Sequence, residues 1–254
     1  VLGTIGRGFR PAAERPPAGV VENDWKDEDE SLPGLSAKSR YAQRRTVLPH
    51  NAHYTREIVG KGTRRLGDDE HAHLYELYLQ VKRRSLAFNT HDLPRDFFRH
   101  VEADPSWELT LLFPTAEIAG GGQDEPDTPC AVGACYVGRD VYVPTVLGMD
   151  DRYARTAGLY RQMLRHALAR AGGLGLRRVQ LGYGADLEKR RFGARAVSRR
   201  MYVLADDAYA FEALAQIEGP ELGEAMAELL SARAELAAAR TRATREESLG
   251  RQQL

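Results

Sequence analysis

The chain has 254 residues, which is enough for one large domain or two small ones with a full hydrophobic core. Its 36 lysines and arginines balance its 36 aspartates and glutamates, so the formal net charge is zero. This balance argues against a general nucleic-acid binder, which normally carries a basic excess or a basic face. The sequence also has no run of about eighteen apolar residues and no charged-then-apolar leader, so we expect neither a membrane span nor a signal peptide.

The two cysteines, Cys130 and Cys135, lie in the apolar segment 129–137. They have no second pair of cysteines and no nearby histidine at metal-ligand spacing, which disfavours a zinc site. Because they are five residues apart in one predicted strand, they would face opposite sides, and this disfavours a disulfide between them. We therefore expect no bound metal and a reducing, cytoplasmic compartment.

Residues 1–34 combine glycine, proline and charge without a sustained hydrophobic period, as is typical of a poorly structured tail or linker. Clear periodic patterns begin at residue 35. Ser36 and Asp92 are the expected caps of two of the helices that follow. The predicted elements up to residue 137 are helices at 35–43, 68–83 and 94–103 and strands at 53–59, 107–113 and 130–137.

A strand followed by an amphipathic helix opens the stretch from Asp140 to Ala194. β-branched and aromatic residues predict the strand at 141–147, and Pro144 within it indicates an edge or a bulge. Apolar residues then recur at three- and four-residue intervals over 159–171, which predicts a helix. This helix would leave three arginines on its outer side, namely Arg161, Arg165 and Arg170.

A second short strand is predicted at 176–181, where Gly182-Tyr183-Gly184 breaks the pattern. The two strands and the helix between them make a βαβ unit with a right-handed connection. Its loop, 151–158, opens on the helix N-terminus, whose unpaired N–H groups could hold an anion such as a pyrophosphate. Arg152 and Arg155 would add positive charge, although two solvated arginines and a glycine that eases the turn explain the same residues.

The remainder of the chain is predicted to be a final strand at 195–204 followed by helices at 209–217 and 221–245. The last helix is rich in alanine, glutamate and arginine, and it could pack on the core or on another copy of the chain, which would make a homodimer. Arginines and lysines are frequent between residues 177 and 200, a pattern more typical of a solvated surface than of a functional patch.

The order of these elements, with the sequence GYGADLEKRRFGA at 182–194, resembles the acetyl-CoA-binding half of the GNAT acyltransferase superfamily. The chain is most similar to the FemAB-like branch, through Gly182, Lys189 and the FGA turn at 192–194, and through the segment LSAKSRYAQRRTVLP at 35–49. The resemblance covers residues 35–206. It implies an α/β fold with a GNAT-like mixed central sheet flanked by helices, and leaves 207–254 as a C-terminal helical extension.

The resemblance implies an N-acyltransferase that moves an acyl group from a phosphopantetheine thioester, carried by coenzyme A or by an acyl carrier protein, to the amine of a small biosynthetic metabolite. Tyr183 would protonate the leaving thiol, although simple packing between two glycines explains this residue equally well. The candidates for the base are Asp150, Asp186, Glu188, His91 and Glu108, and a capping or loop role is the commoner explanation of His91. The residues implied to hold the donor are Val146, Leu147 and Gly148 for the pantetheine arm, and Arg152, Arg155, Thr156, Ala157 and Gly158 for the phosphates.

The phosphate loop departs from the family pattern in either register. Counted from Arg152, Arg155 stands where the family has a glycine, and counted from Arg155, Tyr160 stands where the family has a small residue. This departure leaves room for a donor bound to a carrier protein or for an aminoacyl-tRNA. The alternatives are therefore an aminoacyl-tRNA-dependent FemAB-type ligase, with tRNA as the nucleic-acid partner, and a non-catalytic GNAT fold that serves as a binding module.

Overall fold

The computed structural model of the chain describes residues 10–22, 34–84, 92–119, 127–156 and 158–203; side chains are described for these residues except 10–16, 155–156 and 201–203. The chain divides into two compact units. The larger unit comprises residues 16–85 and 93–199. The described residues of the smaller unit are 10–15, Asp92 and 200–203. Three predictions, for His91, Ala157 and the helices after residue 204, lie outside the described residues.

In chain order the described elements are β1 (Arg10–Glu22), α1 (Ala37–Thr46), a 3-10 turn (Leu48–His53), β2 (Tyr54–Gly60), α2 (Asp68–Arg84), α3 (Phe97–Ala103), β3 (Trp107–Pro114), β4 (Ala131–Val137), β5 (Val141–Met149), α4 (Asp151–Thr156), α5 (Leu159–Gly173), β6 (Arg178–Gln180), α6 (Asp186–Arg191) and β7 (Arg195–Val203).

The strands form one mixed sheet in the order β2-β3-β4-β5-β6-β1-β7, flanked by helices. β5 and β6 are parallel, whereas the pairs β2–β3, β3–β4, β4–β5 and β6–β1 are antiparallel. This architecture confirms the predicted α/β fold with a mixed central sheet flanked by helices.

The two faces of the sheet are covered by different helices. α5 packs on one face through Leu159, Met163 and Leu164, the positions that its helical period predicts. α2 and α3 cover the other face over β2 to β5. Their approach requires a residue without a side chain in β5, because a Cβ at Gly148 would lie 2.6 Å from the backbone nitrogen of Tyr78 in α2. Helices therefore pack closely on both faces of the sheet over β2 to β5, the strands that are consecutive in the chain and pair antiparallel.

Helix starts follow the sequence in one case and not in another. The Ser36 hydroxyl accepts a hydrogen bond from the Ser39 N–H at 3.2 Å, which confirms Ser36 as the cap of α1. The predicted cap at Asp92 is wrong, because α3 begins at Phe97 with Asp96 in the capping position. Pro94 lies in a separate turn, in which its carbonyl accepts from the Phe97 N–H at 3.0 Å.

Two further expectations about the central stretch are corrected. Residues 151–156 form the short helix α4, so most of the segment predicted to be an open loop before α5 is helical. Arg165 was expected on the outer side of α5 but is only 9% exposed. Its Nε donates to the Asn51 side-chain oxygen at 3.2 Å, because the 3-10 turn lies across the side of α5 that the sequence pattern assigns to solvent.

The strand β1 corrects the expectation that residues 1–34 have little structure, since residues 10–22 belong to the sheet. β1 lies between β6 and β7 and pairs with β6 through Val20 opposite Gln180 and Val21 opposite Val179. Val21 is 2% exposed and belongs to the same core as α5. The domain limits at residues 35 and 206 remain a prediction.

Candidate active site at the divergence of two parallel strands

The candidate site begins where β5 and β6 stop pairing. The two strands pair only at Val141 with Arg178 and at Tyr142 with Val179, and β6 ends at Gln180 while β5 continues to Met149. The pairing of β5 with β4 also shifts at this point, because Thr145 is an extra residue between the pairs Ala134–Val146 and Cys135–Pro144. The bulge predicted near Pro144 is confirmed.

The consequence is an open backbone edge inside the sheet. Beyond Tyr142, β5 has no ladder partner on its β6 side among the described strands. Val146, Leu147 and Gly148, the residues predicted to hold the donor's pantetheine arm, lie on this stretch. Backbone N–H and C=O groups that lack a ladder partner can bind an extended ligand, as a further strand would be bound.

The helix α5 follows β5 in the chain, and its first turn contains no acidic residue. α5 starts after Gly158, which has φ +64 and makes no side-chain capping bond. The His50 ring lies beside Gly158, since a Cβ there would be 3.4 Å from its Cδ2. Burial, with the nearby His53 and Arg161, lowers the pKa of His50. A helix start of this kind favours an anion.

An ion-pair cluster joins α5 to α6 beside this helix start. Arg161 donates to both oxygens of Glu188, through Nε at 2.8 Å and Nη2 at 3.2 Å, and Arg191 donates to Glu188 at 2.5 Å. The Arg161 hydrogen bond is the main reason that the pKa of Glu188 is below its ordinary value, and burial opposes it. Glu188 is therefore an ionised structural partner and a weak base.

Asp150 and Arg152, two predicted site residues, lie together at the end of β5. Arg152 Nη2 donates to Asp150 Oδ2 at 2.6 Å. Burial raises the pKa of Asp150, but the hydrogen bonds and charge of Arg152 outweigh it and hold the pKa below its usual range. A carboxylate of this kind is a weak base, which counts against Asp150 as the group that deprotonates an amine. Arg155 and Thr156 lie in α4, with their side chains outside the description.

A left-handed turn follows β6 and presents Tyr183. Gly182 and Gly184 have φ of +69 and +73, a conformation that favours glycine, and Ala185 adopts φ +50 at the start of α6. Tyr183 between them is 39% exposed, and the guanidinium carbon of Arg199 lies 4.8 Å from its ring centroid. Tyr183 is thus presented at the surface of the site and not packed away between the glycines.

Lys189 is the functional candidate that the sequence reasoning did not assign. It is only 4% exposed, and its Nζ donates to the Tyr183 carbonyl at 2.7 Å. Burial lowers the pKa of Lys189 to about 8; Asp186 opposes this shift and Arg199 adds to it. Perturbed groups of this kind are concentrated at functional sites. The resemblance had singled out Lys189, but its position in the run Lys189-Arg190-Arg191 suggests solvent and hides its burial.

Glu108, another carboxylate that could have served as a base, is fully engaged elsewhere. The Tyr142 hydroxyl donates to it at 2.8 Å, and Arg170 donates through Nε at 2.9 Å and Nη2 at 2.7 Å. The three residues come from β3, β5 and α5, so they tie the helix to the sheet. We therefore assign Glu108 to the scaffold.

The remaining chemistry of the described residues is limited. Cys130 and Cys135 are free and buried, and burial raises the pKa of each thiol to about 12, so neither is a thiolate at neutral pH. Within the described ranges, no group of three or more His, Cys, Asp or Glu side chains could hold a metal ion. No helix in the same ranges has the length and apolar character needed to cross a membrane.

Comparison with known proteins identifies the fold and the family. A family model described as "Acetyltransferase (GNAT) domain" matches residues 34–190. No curated protein matches the chain. The solved structure of FemX superposes with a TM-score of 0.56 and 11% identity, covering 82% of this chain and 69% of FemX. L-PGS from Bacillus licheniformis superposes with a TM-score of 0.52 and 9% identity, covering 82% of this chain and 66% of L-PGS.

At these identities the two structures show a shared fold, and the chain spans about two thirds of their length. The family match covers more than half of the chain, and it includes β5, α5, β6 and the turn that carries Tyr183. A match of this extent shows family membership in addition to a shared fold. The chain therefore belongs to the GNAT acetyltransferase family.

Proposed function

We propose that the protein transfers an acyl group from a phosphopantetheine thioester, either acyl-CoA or an acyl carrier protein, to the amine of a small biosynthetic metabolite. The observation that carries this proposal is the open edge of β5 between the N-terminus of α5 and the Tyr183 turn. The donor's phosphates would meet the N-terminus of α5, its extended arm would meet the open edge of β5, and its thioester would meet the Tyr183 turn. The proposal includes a small-molecule amine as the acceptor, an acyl carrier protein as one alternative carrier of the donor, and a homodimer as the state of the protein.

In this proposal the first turn of α5 binds the donor's phosphates through backbone N–H groups, with Arg152 and Arg155 nearby. The pantetheine arm lies along Val146 to Gly148, and a backbone N–H there stabilises the oxyanion that forms on the thioester carbonyl. These contacts orient the carbonyl towards an acceptor amine, which is the main requirement of a direct transfer.

The chemical step forms the C–N bond and breaks the C–S bond of the thioester. The amine attacks as the free base, and its proton passes to water, because Asp150 and Glu188 are weak bases here. The leaving thiolate takes a proton from the Tyr183 hydroxyl, and the resulting tyrosinate regains a proton from water, which balances the proton released by the amine. Lys189 acts as a positioning residue, since its ammonium group holds the Tyr183 carbonyl and adds positive charge beside the site.

The free, buried cysteines support a reducing compartment, so we place the reaction in the cytoplasm. The test of the whole proposal is calorimetric titration with acetyl-CoA and, separately, with a phosphopantetheinylated acyl carrier protein. Micromolar binding of either donor supports the proposal and identifies the carrier. Absence of binding to both overturns it.

A second candidate is an aminoacyl-tRNA-dependent ligase, and the similarity of fold to FemX is the observation that favours it. The incomplete phosphate loop, in which Arg152 is paired with Asp150, also fits a donor other than free coenzyme A. The titration distinguishes this candidate by adding aminoacyl-tRNA as a third ligand. Binding of aminoacyl-tRNA without binding of either thioester selects it, and binding of none of the three selects a non-catalytic module.

A further inference from the structure

The strand β1 contacts the candidate site although it lies outside the family-matched segment. The family match begins at residue 34, whereas β1 ends at Glu22. β1 nevertheless occupies the position beside β6, the strand that leads into the Tyr183 turn. A part of the chain that the family match does not include therefore borders the catalytic turn.

The contact is made by the backbone of Gly19. The Gly19 N–H donates to the Gly182 carbonyl at 2.7 Å, and the Leu181 N–H donates to the Gly19 carbonyl at 2.8 Å. These two bonds continue the β1–β6 pairing for two residues beyond the end of β6. They fix the backbone immediately before Tyr183.

Gly19 also lies against the stem of Lys189. A Cβ at Gly19 would lie 3.2 Å from Lys189 Cδ and 3.5 Å from Ala194 Cβ. The Lys189 side chain thus passes β1 at a residue that has no side chain, and its Nζ donates to the Tyr183 carbonyl at 2.7 Å. A side chain at residue 19 would displace Lys189 before it displaced anything else.

We infer that β1 is a positioning strand for the acyltransferase site. The Gly19 backbone binds Gly182, and the absence of a side chain at Gly19 leaves space for the Lys189 side chain to reach the Tyr183 carbonyl. Tyr183 is therefore held on both sides, by β1 at the preceding residue and by Lys189 at its own carbonyl. The inference rests on the proposed function, because it assigns β1 the task of placing the Tyr183 hydroxyl at the leaving thiol. Gly19 itself touches no substrate.

The test uses the full chain with Gly19→Val and with the milder Gly19→Ala. Gly173→Ala is the matched control, because a Cβ at Gly173 meets nothing within 4 Å. The first readout is the rate at which acetic anhydride modifies Lys189, followed by mass spectrometry at several pH values. We expect Gly19→Val to raise that rate about tenfold and Gly19→Ala to raise it less, since displacement exposes a buried amine. Gly173→Ala should leave the rate unchanged.

The second readout is the steady-state kinetics of acyl transfer. Misplacing Tyr183 should lower kcat of Gly19→Val about tenfold while KM for the donor changes less than about twofold, because the donor's binding groups lie on β5 and α5. Amide hydrogen exchange at Leu181 should accelerate in the same variant. If Gly19→Val folds with a circular dichroism spectrum like that of the parent and leaves Lys189 modification unchanged, the inference is overturned; if Gly19→Val fails to fold, Gly19→Ala decides in the same way.

The two proposals fail separately. A change in Lys189 modification and Leu181 exchange, in a protein that binds no thioester and transfers no acyl group, supports the positioning by β1 and overturns the acyltransferase assignment. Normal acyl transfer in Gly19→Val, with Lys189 still protected, supports the acyltransferase assignment and overturns the positioning role.

Discussion

The two halves of the sheet differ in how they are assembled. β2, β3, β4 and β5 follow one another in the chain and pair as antiparallel neighbours, with helices covering both faces. β6, β1 and β7 are brought together from opposite ends of the described chain. The first half is fixed by local sequence and close packing. The second half carries Tyr183 and Lys189, and its geometry depends on a partner more than 150 residues away in sequence, since Val21 pairs with Val179.

The difference suggests a division of labour. Tight packing in the first half leaves little room for change, as the approach of α2 to Gly148 shows. In the second half the turn that carries Tyr183 is held by a few hydrogen bonds, so we expect small changes there to affect activity more than stability. Each experiment below tests one side of this contrast.

The largest expected effect is on stability and lies in the first half. In Gly148→Val the new Cβ would overlap the backbone of α2, 2.6 Å from Tyr78 N and 2.8 Å from the Leu77 carbonyl carbon. Because backbone cannot give way as a side chain can, we expect the free energy of unfolding to fall by about 3 kcal/mol. Urea denaturation measures it. Gly173→Ala should change it by less than about 0.5 kcal/mol, and an equal response of the two variants would contradict the packing described here.

The next effect is on activity and lies in the second half. Tyr183→Phe removes the hydroxyl proposed to protonate the leaving thiolate, so kcat should fall about hundredfold, while the free energy of unfolding should stay within about 0.5 kcal/mol because Tyr183 is exposed. Steady-state kinetics with the best donor found by titration gives kcat. Tyr41→Phe is the control, since Tyr41 is also exposed and lies in α1, away from β6 in the chain. Unchanged kcat in Tyr183→Phe would remove Tyr183 from the mechanism.

A pH effect should follow from His166 on α5. Burial, together with the charges of Arg56 and Arg165, lowers the pKa of His166 to about 4. Arg56 Nη1 lies 3.5 Å from His166 Nδ1, so the neutral ring accepts there. Because the folded pKa is below the unfolded value of 6.5, the stabilisation is complete above pH 6.5 and is lost as the pH falls towards 4.

The loss should amount to about 2 kcal/mol between pH 6.5 and 4. Urea denaturation at intervals across this window measures it, with His166→Leu as the comparison. The substituted protein should show a flatter dependence over the same window, since leucine does not titrate. Parallel curves for the two proteins would mean that His166 is accessible to water in the folded state.

The smallest effect concerns donor affinity. Arg152→Ala and Arg155→Ala each remove a positive charge near the start of α5, and we expect at least one to weaken thioester binding about tenfold, as the loss of a charge-assisted phosphate contact does. The Arg152 side chain is 62% exposed and is paired with Asp150, and both features limit its contribution to the affinity for the donor. Calorimetric titration gives the affinity, and Arg139→Ala serves as a charge-matched control in the turn between β4 and β5. Unchanged binding in both variants would favour the non-catalytic module.

Local patterns predicted most of the first half and the βαβ unit. The apolar period over 159–171 predicted α5, and Pro144 predicted the irregularity that the structure places at Thr145. The resemblance drew attention to Gly182 and Lys189, and the family match confirmed the superfamily that these residues had suggested. Periodicity was sufficient here because one face of each element is buried by its neighbours along the chain.

Other features could not be obtained from local pattern. Arg165 is buried because the 3-10 turn covers it, and α4 forms where charged residues and a threonine suggested a loop. The sequence made Asp150 a candidate for the base, but in the structure Arg152 donates hydrogen bonds to its carboxylate. Each of these outcomes depends on a neighbour whose position is set by packing.

Composition and periodicity were thus enough to predict most elements in their order, because these depend on which residues are apolar and at what spacing. The fold class and the superfamily came from the resemblance that the motif at 182–194 carries. The tertiary structure alone decided that residues 10–22 form a strand beside β6 and that Lys189 is buried against Tyr183. The first depends on pairing across more than 150 residues of chain, and the second depends on β1, because Gly19 lies against the stem of Lys189. The energy of such contacts is not encoded in either partner's own sequence pattern.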